Sequence, residues 1–102
     1  MSRSDRPANH SDESVSNIVR RIGRYLWANP LAGDTKDGIT QWWLGLPPGA
    51  GELVQHALGV LEAAGVVEAV RAMDGRVRYR RAAIPDVEER LDRIISGPNQ
   101  AG

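Results

Sequence analysis

Apolar residues recur every three or four positions in four segments of the chain, with polar residues between them. This spacing is typical of an α-helix that buries one face. It predicts helices over about 12–28, 35–45, 51–64 and 86–96. The first two are followed by Asn29-Pro30 and Pro47-Pro48, and proline cannot continue a helix. The helical spacing does not extend over residues 66–82, so the sequence does not predict a helix there.

The buried face of each predicted helix follows from the same spacing. Its members are Val15, Ile18, Val19, Ile22, Tyr25 and Leu26 in the first helix, Ile39, Trp42, Trp43 and Leu46 in the second, Leu53, Val54, Ala57, Leu58 and Leu61 in the third, and Val87, Leu91, Ile94 and Ile95 in the fourth. Adjacent residues of a helix diverge by about 100°, so two alternatives are open for Trp42 and Trp43. Either both rings belong to the core, or one lies at its rim and contacts a partner.

Residues 66–82 predict two short strands joined at Asp74-Gly75, a dipeptide that favours a two-residue hairpin turn. Such a turn places four apolar or aromatic residues on the face toward the helices, namely Val70, Ala72, Val77 and Tyr79. The opposite face then carries four arginines without an acid among them: Arg71, Arg76, Arg78 and Arg80. In this register Arg71 lies directly opposite Arg78, a like-charge pair whose repulsion an anionic partner would relieve.

A helix, Gly65, an apolar strand, the Asp-Gly turn and a return strand follow one another in VQHALGVLEAAGVVEAV and DGRVRY. This order resembles the recognition helix and wing of a winged helix-turn-helix domain, and the resemblance covers roughly residues 14–82. It implies an α+β fold with a three-helix core, a two-stranded hairpin wing and, in this chain, an extra C-terminal helix. Many winged helices also place a brief first strand where Leu31 to Gly33 lie.

The domain organisation expected from this resemblance is a single domain over residues 12–96. The wing occupies about 66–82 and the last helix about 86–96. A disordered tail is expected at 1–11 and a flexible tail at 97–102, because both ends are polar and lack periodicity.

The formal net charge is zero, but the charges are unevenly distributed. Residues 71–81 carry five arginines against Asp74, whereas residues 25–70 carry Lys36 against five acids. Zero net charge argues against a uniformly basic nucleic-acid binder. The concentration of arginine on the hairpin nevertheless predicts contact with an anion, and the phosphates of double-stranded DNA are the best candidate.

The outward positions of the third helix carry two acids and three uncharged or weakly basic residues, and neither lysine nor arginine. These positions are Glu52, Gln55, His56, Gly59 and Glu62. Gln55 is a candidate reader of adenine, and His56 could reach a base or a phosphate. The two glutamates would repel the DNA backbone. Either the hairpin therefore supplies most of the DNA affinity, or this helix faces a protein.

Two functions are compatible with this pattern. The first is a small DNA-binding protein that regulates transcription through the arginine-rich wing. The second is a winged-helix adaptor that binds a protein through the Trp42-Trp43 region or the acidic third helix, and fold alone cannot choose between them. Many winged-helix regulators dimerise through an extra C-terminal helix, so a homodimer through residues 86–96 is also a candidate. The alternative is that this helix packs on its own domain.

The residues give no support to other functional classes. The chain has no cysteine, which removes disulfides and thiolate metal sites. It has no phosphate-binding glycine loop, zinc-ligand spacing or nucleophile with a base, so we expect neither an enzyme nor a bound cofactor or metal. Glu52 and His56 alone are too few ligands for a metal ion. No apolar run approaches the roughly 18 to 20 residues of a membrane span, and no signal peptide is present, which favours a cytoplasmic protein.

Overall fold

The computed structural model describes residues 6–96, with side chains from residue 15 onward; the predicted tail positions 1–5 and 97–102 lie outside the described residues. The described chain has the predicted α+β class, with four helices and a three-stranded antiparallel sheet. The elements are α1 (Arg6–Ala28), β1 (Gly33–Thr35), α2 (Lys36–Gly38), α3 (Gly51–Ala63), β2 (Val67–Arg71), β3 (Val77–Arg81) and α4 (Val87–Ser96). Among residues 6–96, no helix has the length and apolar character to cross a membrane.

Two of the helices differ from their predicted form. Helix α1 begins at Arg6, so residues 6–11, which the sequence analysis assigned to a disordered tail, are helical. Helix α2 is capped by Thr35, whose hydroxyl oxygen accepts a hydrogen bond from the Gly38 N–H at 3.1 Å. It continues directly into a π-helical segment, Ile39–Trp43. There the N–H of Leu44 donates to the carbonyl of Ile39, five residues back, at 3.1 Å.

The core lies between α1, α3, α4 and the inner face of the sheet. Most of its buried side chains were predicted from helical spacing: Ile18, Ile22 and Leu26 of α1, Val54, Ala57, Leu58 and Leu61 of α3, and Val87 and Leu91 of α4. Val67 and Tyr79 contribute from the sheet. In the second helical region, Ile39 is buried as predicted, and Leu44 is the other large apolar residue in the core, whereas Trp42 is exposed.

The strand order of the sheet is β1-β3-β2, so β3 lies in the centre. We call β2, β3 and the residues between them the hairpin. Its loop is built around Gly75, which has a φ of 87° and whose N–H donates to the carbonyl of Ala72 at 3.0 Å. The N–H of Ala72 in turn donates to the carbonyl of Arg76 at 2.7 Å. This is a three-residue loop with a left-handed glycine rather than the predicted two-residue turn.

The longer loop changes the register of the hairpin. The Cα partners are Arg71 with Val77 and Ala69 with Tyr79. The predicted register, which paired Arg71 with Arg78, was therefore wrong by one residue. Because side chains alternate between the two faces of a strand, a shift of one residue in the pairing moves one strand's side chains to the opposite face.

The apolar stripe of α4 packs against α1 of the same chain. A Cβ at Gly23 of α1 would stand 3.5 Å from Ile95 and 3.7 Å from Ile94, and Leu91 is fully buried. Of the two alternatives for this stripe, the intramolecular one is present. A homodimer through α4 would need another surface of that helix, and it stays a prediction.

Arg90 connects α4 to the end of α3. Its Nη1 donates to the carbonyl of Ala64 at 3.1 Å, and its Nε donates to Oδ2 of Asp86 at 3.0 Å. The hydrogen bond from Arg90 is the main cause that lowers the pKa of Asp86 below its ordinary value of 3.8. One side chain thus satisfies a carbonyl that α3 leaves open at its C-terminal end and holds the first turn of α4.

Replacing Gly65 with alanine tests this junction. Gly65 has a φ of 80°, and a Cβ there would lie 2.7 Å from Nη1 of Arg90. The left-handed conformation alone costs a residue with a side chain roughly 1 to 2 kcal/mol, so we expect Gly65→Ala to lower the free energy of unfolding by at least that much in urea titrations followed by circular dichroism. The matched control is Gly59→Ala, in the open on α3, which should raise it by about 0.5 to 1 kcal/mol. Equal stability of the two variants would contradict the strain at Gly65.

The carboxylate of Asp86 provides a pH-dependent test of the same junction. A pKa below its unfolded value means that this group stabilises the fold above pH 3.8 and loses that contribution as the pH falls through the folded-state pKa. We expect Arg90→Gln to raise the pKa of Asp86 toward 3.8, measured by carboxyl ¹³C NMR. Arg93→Gln, which removes only a weaker and more distant charge effect on Asp86, should raise it less. An unchanged pKa of Asp86 in Arg90→Gln would refute the assignment.

Candidate nucleic-acid interface

The four candidate arginines of the hairpin do not share one face. Arg78 and Arg80 alternate with the inward-facing Val77 and Tyr79 along β3, so they point to the outer face of the sheet. Arg71 is the Cα partner of Val77 and therefore lies on the other face. Its Nη1 donates to the carbonyl of Gly75 at 3.0 Å, which holds it against the loop. The predicted like-charge pair between Arg71 and Arg78 does not form.

The outer face is also not free of acid, contrary to the prediction. Glu68 is the Cα partner of Arg80, and its Oε2 accepts a hydrogen bond from Nε of Arg80 at 2.7 Å. Arg76 and Arg78 are exposed and form no ion pair with a described residue. Of the four predicted arginines, only Arg80 is held in an ion pair, and Arg71 is hydrogen-bonded to the loop, so Arg76 and Arg78 are the two whose side chains are held by neither.

The outward positions of α3 are exposed as predicted: Glu52, Gln55, His56, Gly59 and Glu62. Gln55 is not independent of the hairpin, because its Nε2 donates to the hydroxyl oxygen of Tyr79 at 3.2 Å. Tyr79 is 8% exposed, so a core residue of β3 holds a surface residue of α3 by a hydrogen bond. This bond joins the helix and the hairpin into one surface.

A groove of about 460 Å³ lies between α3 and the hairpin and reaches the start of α2. We call it the α3–hairpin groove, and its lining residues are Thr35, Lys36, Asp37, Gln55, Arg76, Val77 and Tyr79. Lys36 and Arg76 contribute positive charge from different elements, and Asp37 contributes one negative charge. The sequence analysis identified Gln55 and Arg76 but missed Thr35, Lys36 and the hydroxyl of Tyr79. These residues are far apart along the chain, and no local motif connects them.

The two adjacent tryptophans have different environments. Trp43 is half-buried and stacks on Tyr25 of α1, with ring centroids 4.3 Å apart and an angle of 11° between the planes. The side chain of Trp42 is 72% exposed. Bonds between residues five apart put more residues into each turn of the π-helical segment than an α-helix has, and this rotates Trp42 away from the core. The alternative with both rings in the core was wrong.

Among the described residues, no group of three or more histidine, cysteine or acidic side chains is placed to hold a metal ion. Glu52 and His56 are both exposed on α3. The α3–hairpin groove is lined by hydrogen-bonding and charged side chains on α3, the hairpin and the start of α2.

Comparison of the chain with protein-family models, with curated proteins and with solved structures finds no match. What this surface binds is therefore inferred from its own geometry and charge.

The difference between the two tryptophans can be measured by stability. Trp43→Ala removes a half-buried stacked ring and should lower the free energy of unfolding by about 2 kcal/mol. Trp42→Ala removes an exposed ring and should change it by less than about 0.5 kcal/mol. Urea unfolding followed by far-UV circular dichroism checks both. A larger loss in Trp42→Ala than in Trp43→Ala would contradict their placement.

Proposed function

We propose that this protein is a winged-helix DNA-binding protein that regulates transcription and contacts the DNA backbone through its arginine-bearing hairpin. The order of elements supports the winged-helix assignment. Three helical regions precede a hairpin, and the brief strand β1 pairs with β3. The connection from the end of the π-helical segment to α3, which contains Pro47 and Pro48 and a short 3-10 turn, is the part of the chain that departs most from a tight helix-turn-helix.

The observation that carries the proposal is the hydrogen bond between Gln55 and Tyr79. It links the exposed face of α3 to β3, which Arg76 directly precedes and which carries Arg78 on its outer face. A duplex placed against α3 and the groove beside it would meet base-reading groups on the helix together with Arg76 of the hairpin, and Arg78 would reach phosphates from the outer face of the hairpin. Base contacts supply specificity, and phosphate contacts supply most of the affinity.

The roles within the interface follow from charge. Glu52 and Glu62 on α3 oppose approach of the phosphate backbone to that helix, so the hairpin supplies the attraction. Gln55 retains its amide oxygen and one N–H beyond the bond to Tyr79, and a glutamine amide can pair with adenine in the major groove. His56 is exposed beside it and is the second candidate reader.

DNA binding should depend on salt and on specific arginines. We expect wild-type protein to bind mixed duplex DNA in fluorescence anisotropy with an affinity that falls steeply with salt. Arg78→Gln should weaken binding roughly tenfold at low salt and reduce the salt slope by about one. Glu68→Gln should strengthen binding, because it removes a negative charge and releases Arg80. Arg93→Gln on α4 is the matched control and should have little effect.

Two results would count against the proposal. Wild-type protein that fails to bind duplex DNA even at low salt would exclude it. Equal losses of affinity in Arg78→Gln and Arg93→Gln would remove the hairpin from the interface, because binding would then follow total charge rather than position.

A second candidate function is favoured by the exposure of Trp42. Tryptophan is enriched among the residues that contribute most to protein interfaces, and 72% exposure of such a ring is unusual for a residue without a partner. In this alternative the protein is an adaptor that binds another protein through Trp42. Partner binding would then be lost in Trp42→Ala and kept in Arg78→Gln, the reverse of the result expected for DNA.

A further inference from the structure

We propose that the α3–hairpin groove is a phosphate-binding site, with Lys36, Arg76 and the hydroxyls of Tyr79 and Thr35 as its donors. This proposal extends the proposed function. The version in which the phosphate belongs to duplex DNA rests on that function. A phosphate could come from the backbone of DNA or from a small phosphorylated molecule, and the chemistry of recognition is shared. Phosphate oxygens accept hydrogen bonds and carry negative charge, so a site for them needs converging donors and cations.

Lys36 supplies a cation that is available to a ligand. Its ammonium group lies at the start of α3, where a Cβ at Gly51 would stand 3.6 Å from Nζ. Among the described residues, its one ion pair is with Asp37, at 3.9 Å. The side chain of Asp37 is 91% exposed, and an exposed pair at this distance contributes little. A phosphate can therefore bind Lys36 without displacing a strong partner.

Tyr79 supplies a directed neutral donor. Its oxygen accepts the hydrogen bond from Gln55 at 3.2 Å, which leaves the hydroxyl hydrogen for another acceptor, because a hydroxyl both donates and accepts. Among the described residues, none accepts a hydrogen bond from that hydroxyl. The hydroxyl of Thr35 is in the same state, since it accepts from the Gly38 N–H and keeps its own hydrogen. Two neutral donors and two cationic residues thus line one groove.

The charge of the groove favours one source of phosphate. Lys36, Arg76 and Asp37 together give the lining one excess positive charge. A phosphodiester carries one negative charge, whereas a phosphate monoester carries about 1.5 to 2 near neutral pH. Asp37 would repel the additional charge of a monoester. The backbone of a nucleic acid is therefore the source that the groove fits better.

The test uses two probes on the same proteins. In the first arm, inorganic phosphate is titrated at constant ionic strength and followed by ¹H–¹⁵N NMR of wild type, Lys36→Gln and Arg93→Gln. We expect saturable shifts at the amides of residues 35–37 and 76–79 and at the Gln55 side-chain amide. Lys36→Gln should abolish these shifts, and Arg93→Gln should keep them.

In the second arm, duplex DNA binding is measured by fluorescence anisotropy over a range of salt concentrations. Lys36→Gln should weaken binding roughly tenfold and lower the salt slope by about one, as expected for a phosphate contact. Tyr79→Phe should weaken it roughly fivefold with the salt slope unchanged, because it removes a donor but no charge. Circular dichroism of each variant confirms that the fold is retained.

The arms separate failure of this site from failure of the proposed function. If Lys36→Gln loses both the phosphate shifts and affinity for duplex DNA, the phosphate site is supported and the DNA backbone is the source of the phosphate. Phosphate shifts in the groove without duplex binding support the site, assign it to a small phosphorylated ligand and exclude the proposed function. Duplex binding that Lys36→Gln weakens no more than Arg93→Gln, without phosphate shifts in the groove, overturns the site and leaves the proposed function standing. Absence of both kinds of binding overturns both.

Discussion

The left-handed conformation of Gly75 sets the register of the hairpin, and the register decides the face on which each hairpin side chain lies. With Gly75 at a φ of 87°, the loop closes through Ala72 and Arg76 rather than through a two-residue turn. In β3, Tyr79 points inward, where it is buried and its hydroxyl meets Gln55. A two-residue turn with β3 held in place would move every residue of β2 to the opposite face. The distribution of Glu68 and Arg71 between the two faces of the hairpin therefore depends on one loop residue.

The helices were predictable because their signal is local. In α3 the apolar residues recur at the helical period and Gly65 lies two residues past the last helical residue, so four of the five predicted core positions and the end of the helix to within one residue were correct. The hairpin was predictable as an element but not in register. Asp-Gly suits a two-residue turn, and it equally suits a three-residue loop that ends in a left-handed glycine. The π-helical segment was not predictable, since the spacing of Ile39 and Trp43 also fits a regular α-helix.

Only part of the candidate interface could be predicted from the sequence, because the rest depends on contacts between distant segments. Exposure of Gln55 and His56 follows from the period of a single helix. The loss of Arg71 from the shared face and the pairing of Arg80 with Glu68 depend on strand register. Lys36 reaches the same groove from a third element, and only the packing of α2 against α3 brings it there. Pairing between distant segments is thus the information that local patterns did not contain.

The acids on α3 acquire a role if the protein binds DNA as proposed. A helix that carries Glu52 and Glu62 is repelled by phosphates wherever it lies along a duplex, so it adds little to non-specific binding. Attraction is confined to the hairpin and the α3–hairpin groove, and it acts over a distance of about 10 Å at 0.1 M salt. A contact between Gln55 and a matching base would then have to offset the repulsion from the two glutamates. Discrimination between sites would arise from this opposition, since a penalty on the wrong partner increases specificity as effectively as an added contact to the right one.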